Sequence, residues 1–213
     1  MDTLSGLMQA IDEYDPRAAA SYAEQAVDEG MDPVAAFDAM TAVIQRIGDE
    51  FEAGTRWLPD LIGAADAMKA ATPILEEALR RRGGTRSSLG VVVAGTVQGD
   101  IHSIGIEMVC TLLVAAGFEV HYLGIDVPAQ KFVDAVRQKN ADIVALSALL
   151  TVTSIEDKKV IALLKEAGLR EKVKVMVGGG AINADFARSI GADGYEPAAP
   201  GAVELARTFV GAV

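Results

Sequence analysis

A helical bundle followed by a doubly wound α/β sheet is the architecture this sequence predicts, on three observations. From Asp2 to about Arg82 only helical signals occur. Beyond Ser88, short β-branched runs alternate with helical periodicity to the end of the chain. Between them RGGTRSS, residues 82–88, reads as a flexible polar hinge. The expected division is therefore 1–88 for bundle and hinge and 89–213 for the sheet domain.

In the first half, Asp15-Pro16 and Asp32-Pro33 read as a capping residue followed by a proline in the first turn, where no backbone donor is needed. Pro59 and Pro73 mark further starts. The expected helices are Asp2 to Tyr14, Pro16 to Glu29, Pro33 to Ala53, Trp57 to Ala70 and Thr72 to Arg82. Short connections between amphipathic segments imply a small antiparallel bundle. Trp57, the only tryptophan, reads on its own as core packing.

In the second half, Val91 to Gly95 reads as a buried parallel strand and the segment from Ser103 onward as a helix. Strands follow at Glu119 to Leu123, Asp142 to Leu146, Lys172 to Val177 and Asp193 to Tyr195. Helices lie between and after them, at Ala129 to Lys139, Ile155 to Ala167, Asp185 to Ile190 and Pro200 to Val210. This alternation predicts right-handed crossovers in a flavodoxin-like sheet of order 2-1-3-4-5. The strands ending at Gly95, Ser147 and Gly178 then lie side by side, where such sheets bind ligands.

Those strand ends hold the candidate site. In the loop after the first strand, His102 offers a neutral imidazole to a borderline or soft metal, and Asp100 can hold the ring's other nitrogen. A solvated histidine beside a capping aspartate is the other reading. In SALLTVT, the residues Ser147, Leu149, Thr151 and Thr153 alternate with apolar neighbours, so an extended segment directs them to one side. They line a polar slot, or else form a strand end with a threonine cap. Gly178, Gly179 and Gly180 permit close approach of a flat or phosphate-bearing group, or make a tight turn.

Composition narrows the class. Residues that are 51% apolar, with 21 glycines, belong to a folded α/β chain rather than a disordered one. A net charge of -11 opposes a nucleic-acid or anionic-membrane surface. The cluster Arg80, Arg81, Arg82 and Arg86 reads as a solvated linker. The single cysteine, Cys110, excludes an internal disulfide and falls on an apolar helix face as a core thiol. With no basic, apolar leader and no bilayer-length apolar run, a soluble cytoplasmic protein is expected. The acidic cluster of a receiver domain is missing after the first strand, and neither GxGxxG nor a Walker lysine is present.

The spacing DxHxxG, here Asp100, His102 and Gly105, resembles the signature of cobalamin-binding domains. The resemblance continues in order through Ser147, Leu149, Thr151 and Thr153, the glycines at 178–180, and GADGYEPAA around Tyr195. It also reaches back into the helices, at Gly48 to Phe51 and Leu58-Pro59-Asp60, which are similar to the cap preceding the cobalamin domain of corrinoid methyltransferase proteins. Two departures stand out: Thr153 replaces a serine, and Ala198 stands where an aspartate is expected.

The resemblance implies that His102 replaces the cofactor's own dimethylbenzimidazole as lower cobalt ligand, within a loop in which Asp100, Ile101, His102, Ser103, Ile104 and Gly105 all meet the cofactor. It implies further that Ser147 meets the displaced nucleotide tail, that Thr153 extends the Asp100–His102 relay, and that Trp57 shields the upper corrin face. Cobalamin, as methylcobalamin and cob(I)alamin, would make the protein a methyl carrier that is not catalytic alone. Its implied partners are a substrate-specific methyltransferase, a second methyltransferase acting on a thiol or tetrahydrofolate, and a reductive activase. A mutase subunit and a cobalamin-based sensor share parts of the pattern and stay open.

Overall fold

The computed structural model describes residues 2–82 and 88–212, apart from the side chain of Glu52. The chain divides into two compact units, Met1–Ser87 and Ser88–Val213. Most of the expected hinge, including Arg86, lies outside the described residues.

The first unit contains helices α1 (Thr3–Asp12), α2 (Pro16–Asp28), α3 (Pro33–Glu52) and α4 (Leu58–Arg81). The aspartate caps behave as their chemistry requires. The Asp15 carboxylate accepts from the Arg17 and Ala18 amides at 2.9 and 3.0 Å, and Asp32 accepts from Val34 at 3.1 Å. Arg80 and Arg81 are exposed and pair with Glu77, and the exposed Arg82 donates to the Gly30 carbonyl.

The expected break near Thr72 is absent, and α4 runs through Pro73. An interior proline costs about 3 kcal/mol. Yet Ala67, Met68, Ala71, Leu75, Ala78 and Leu79 continue one buried face on both sides of it. Burying Leu75 and Leu79 stabilises by about 1.5–3 kcal/mol each, so the core face outweighs the proline. The Thr72 hydroxyl donates to the Met68 carbonyl at 2.8 Å within the same turn.

Trp57 corrects the core-packing expectation, for its residue is 76% exposed. It stands just ahead of α4, where its backbone N–H donates to Asp60 Oδ2 at 2.8 Å. The preceding Arg56 is tied to Glu50, Asp12 and Tyr14, so the connection is pinned while the indole projects.

The second unit is the sheet. Its elements in order are β1 (Val91–Thr96), α5 (Ile104–Ala115), β2 (Glu119–Tyr122), α6 (Ala129–Lys139), β3 (Ile143–Ser147), α7 (Ile155–Glu166), β4 (Lys174–Gly178), α8 (Ala184–Ile190), β5 (Gly194–Tyr195) and α9 (Ala199–Val210). All strand pairs are parallel, in the order β2-β1-β3-β4-β5 that the alternation predicts. The central strands are buried on both faces. Val93, Val144, Leu146, Val175 and Val177 pack with Phe132, Ile161 and Leu164. Cys110 is buried on α5.

β1 ends one residue later than its glycine suggests. The register sets Thr96 beside Ser147 and Ser147 beside Gly178, so the three strand ends are level. From β2 the chain crosses over β1 to β3, and this reversal opens the sheet at its carboxyl end.

Candidate functional site

At this opening lies a cavity of about 640 Å³ lined by Ile101, His102, Ser103, Ile104, Gly105, Ser147, Leu149, Gly179, Gly180, Ile182, Tyr195 and Pro197. Its centre of order is Asp100, which is completely buried. Asp100 Oδ1 accepts from the His102 amide at 3.0 Å and faces His102 Nδ1 at 2.7 Å. Asp100 Oδ2 accepts from the Leu149 amide at 2.8 Å and the Thr153 hydroxyl at 2.7 Å, with the Leu150 amide at 3.4 Å. One carboxylate thus joins the loop after β1 to the loop after β3.

Burial alone would push the Asp100 carboxyl up. The donors from Thr153, His102 and Leu149 outweigh that effect and hold it well below the usual carboxylate range. An ionised carboxylate only accepts, so His102 Nδ1 carries a proton toward it, and Nε2 is the ring nitrogen outside this contact. The imidazole side chain is 46% exposed, and Nε2 has no hydrogen-bond partner among the described residues. The outcome is an oriented imidazole at the cavity, with Nε2 outside the contact to Asp100.

The segment after β3 departs from the extended reading. Only Ser147 belongs to the strand, and residues 151–154 form a turn. The amides of Leu149 and Leu150 turn toward Asp100, which prevents a continued alternation. Thr151 is therefore exposed and does not line the cavity, while Thr153 is buried behind it against Asp100. The Thr153 hydroxyl also lies 2.8 Å from the Leu150 carbonyl. It has one hydrogen, and the carboxylate is the stronger acceptor.

Ser147 is nearly buried at the cavity wall, and its hydroxyl meets no hydrogen-bond partner among the described residues. Gly178 pairs in the sheet and stays out of the lining, whereas Gly179 and Gly180 enter it. Gly179 has φ +107°, and a Cβ there would lie 2.3 Å from the Ala148 carbonyl oxygen. Only glycine allows these two loops to close. Tyr195, half-buried in β5, completes the wall, and Ala198 is exposed outside it.

Three residues escaped the sequence reading. Ile182 and Pro197 line the cavity because the loops after β4 and β5 fold toward it, for which no short-range pattern exists. Asp157, in the first turn of α7, is fully buried with neither carboxylate oxygen hydrogen-bonded among the described residues. Desolvation, then the charges of Asp100 and Glu156, push its carboxyl up to about 8. Burial and these neighbouring charges favour its protonated form.

Fold and site together define a class, a doubly wound sheet protein with one oriented imidazole at the cavity of its switch point. Two family models, each described as a B12 binding domain, match residues 90–204 and 3–76. The trimethylamine corrinoid protein 1 of Methanosarcina acetivorans is 41% identical over 202 residues, covering 94% of each chain. A dimethylamine corrinoid protein of Methanosarcina barkeri is 46% identical over 171 residues, covering 80% of each. A corrinoid protein of Desulfitobacterium hafniense is 40% identical over 213 residues, covering 99% of each. Among solved structures, the methanol:cobalamin methyltransferase complex MtaBC of Methanosarcina barkeri superposes with a TM-score of 0.86 at 30% identity, covering 99% of this chain and 80% of that one. The chain belongs to the B12-binding corrinoid protein family, and its cofactor is cobalamin.

The residues present suit that cofactor. His102 Nε2 is a free nitrogen donor of the kind cobalt accepts. Ile101 and Ile104, 69% and 72% exposed, offer an apolar surface beside it for a flat macrocycle. The cavity has the volume of a small-molecule site, and Ser147 leaves a hydroxyl unpaired in its wall. Among the described residues no group of three or more metal-ligating side chains occurs, and no helix is long and apolar enough to cross a membrane.

Proposed function

We propose that this protein is a methyl carrier in which His102 would bind the cobalt and the cavity would take the displaced nucleotide tail. Cobalamin, when bound, supplies a metal that accepts and gives up a methyl group. The chain's residues hold and orient that metal. Asp100 keeps the Nδ1 proton in place, so that His102 presents its lone pair through Nε2. The Asp100 carboxylate, supported by the Thr153 hydroxyl, would hold the Nδ1 proton and so keep the ring oriented toward a bound metal. Ser147 donates to or accepts from the tail, and Gly179 and Gly180 let the backbone approach it. Trp57, exposed in the helical unit, serves as an aromatic surface for the corrinoid ring.

The relatives named for trimethylamine and dimethylamine support a methylated amine as the ultimate donor, reached through a substrate-specific methyltransferase. A second methyltransferase, with a thiol or tetrahydrofolate as acceptor, and a reductive activase complete the proposed cycle. The observation that carries this reading is the 2.7 Å Asp100–His102 contact, which leaves Nε2 unpaired at the switch-point cavity. It is tested by absorption spectra of protein reconstituted with hydroxocobalamin, wild type beside His102→Ala. A His-dependent shift of the cobalamin bands is expected, with weakened but retained binding in the variant because the tail site remains. Identical spectra, or loss of all cobalamin from His102→Ala, would refute the assignment.

A further inference from the structure

The turn that carries Asp100 and His102 is also held from a neighbouring loop, and the residue that holds it is Asp126. Asp126 lies between β2 and α6 with φ 51°, in the left-handed region. Its own N–H donates to the Asp100 carbonyl at 2.9 Å. Its carboxylate Oδ1 accepts from the Gly99 amide at 2.7 Å. The next residue continues the grip. The Val127 amide donates to the Thr96 carbonyl at 3.0 Å, and a parallel bridge pairs Val97 with Val127 beyond the end of β1.

Both of Asp126's bonds therefore fall on the two residues at 99 and 100, immediately ahead of the Ile101–His102 pair. The turn they clamp is itself tight, with Gly99 at φ +81° and the Asp100 amide donating to the Val97 carbonyl at 3.1 Å. A left-handed backbone is unfavourable for residues bearing a Cβ, least so for Asp and Asn, and it persists where the surroundings over-determine it. Asp126 is exposed and does not line the cavity, so neither core packing nor ligand contact explains its conformation.

We propose that Asp126 is a positioning residue for His102, whose left-handed backbone and carboxylate fix the Gly99–Asp100 turn and thereby the place of the imidazole. The proposal rests on the assignment of His102 as the cobalt-facing base. The carboxylate of Asp100 orients the ring, and Asp126 places the backbone from which that ring extends.

The full chain is titrated with hydroxocobalamin as wild type, Asp126→Asn, Asp126→Gly, Asp126→Ala, His102→Ala and the Asp126→Ala/His102→Ala double variant. Exchange of the Gly99 amide is followed by NMR in the same proteins without cofactor. Asp126→Ala loses the acceptor and strains the backbone, and weakens binding about tenfold. Asp126→Asn keeps both properties and stays near wild type. Asp126→Gly relieves φ but lacks the acceptor and falls between, so the series remains informative if the alanine variant folds poorly. Gly99 exchange accelerates in the Ala and Gly variants alone. In the His102→Ala background Asp126→Ala adds nothing, because its effect passes through the imidazole.

Wild-type affinity in Asp126→Ala, or an equal weakening with and without His102, would overturn the proposal. A His102→Ala protein with wild-type affinity and spectrum would instead remove the assignment on which it rests.

Discussion

Replacing Asp157 by asparagine should change how the stability of the cofactor-free protein depends on pH. The group rises from 3.8 to about 8 on folding, so between those values the native state holds a proton that the unfolded chain has lost. Stability is therefore fully present below about pH 4 and is lost as pH climbs toward 8. Each unit of pKa difference corresponds to about 1.4 kcal/mol, so the whole displacement is on the order of 5 kcal/mol. The other displaced carboxyl groups, Asp2, Asp12, Glu29, Glu50 and Asp100, are all lowered and titrate beneath this window. Among displaced groups the slope between pH 5 and 7 belongs to Asp157. Urea unfolding followed by circular dichroism should show wild-type stability falling by about 1.4 kcal/mol per pH unit there. Asp157→Asn should remove that fall. Parallel curves for the two proteins would refute a raised Asp157 carboxyl.

Further outcomes follow from the same geometry. Thr153→Val should cost about 1–2 kcal/mol at pH 7 by removing a donor from Asp100, and Thr153→Ser should restore it. Because the Asp100 carboxyl is lowered on folding, this deficit is full above about pH 4 and shrinks in acid, which acid titration of unfolding checks. Gly179→Ala should cost roughly 3 kcal/mol or more, from a left-handed φ and a clash with Ala148, and abolish cobalamin retention. Trp57→Ala should cost under about 1 kcal/mol in urea unfolding because the indole is not packed. In wild type, acrylamide should quench this single tryptophan readily, and less so after hydroxocobalamin is added.

The sheet was legible because its signals are local and repeat. Buried strands such as Val91–Thr96 and Ile143–Ser147 are β-branched runs of strand length, and the helices between them keep their own period. The helical unit was less so. Pro73 is a strong local break, and only the tertiary burial of Leu75 and Leu79 overrides it. Trp57 misled for the opposite reason, since apolarity suggests burial while the Arg56 and Asp60 contacts that hold it outward are specific to the folded corner. At the site, the contact between Asp100 and His102 matches one of the two readings that their spacing left open. The departure of Leu149 to Thr153 from an extended path could not be read from spacing, because the carboxylate that bends it lies about 50 residues earlier in the chain.

That long-range contact explains why the site is built around a buried charge. Asp100 stays ionised only while amides and a hydroxyl from a second loop converge on it, so the loop after β3 must adopt its turn for His102 to be oriented. A hydrophobic contact between the loops would hold them together but would leave the imidazole free to rotate and to choose either tautomer. The carboxylate couples loop closure, tautomer and ring direction in one group. Asp157 is raised mainly by desolvation and further by the charges of Asp100 and Glu156, which favour its protonated form. A change that neutralises Asp100, such as Asp100→Asn, should therefore remove one of the charges that raise the Asp157 carboxyl and move it downward, with desolvation still holding it up, and a carboxyl-selective NMR titration would detect that shift.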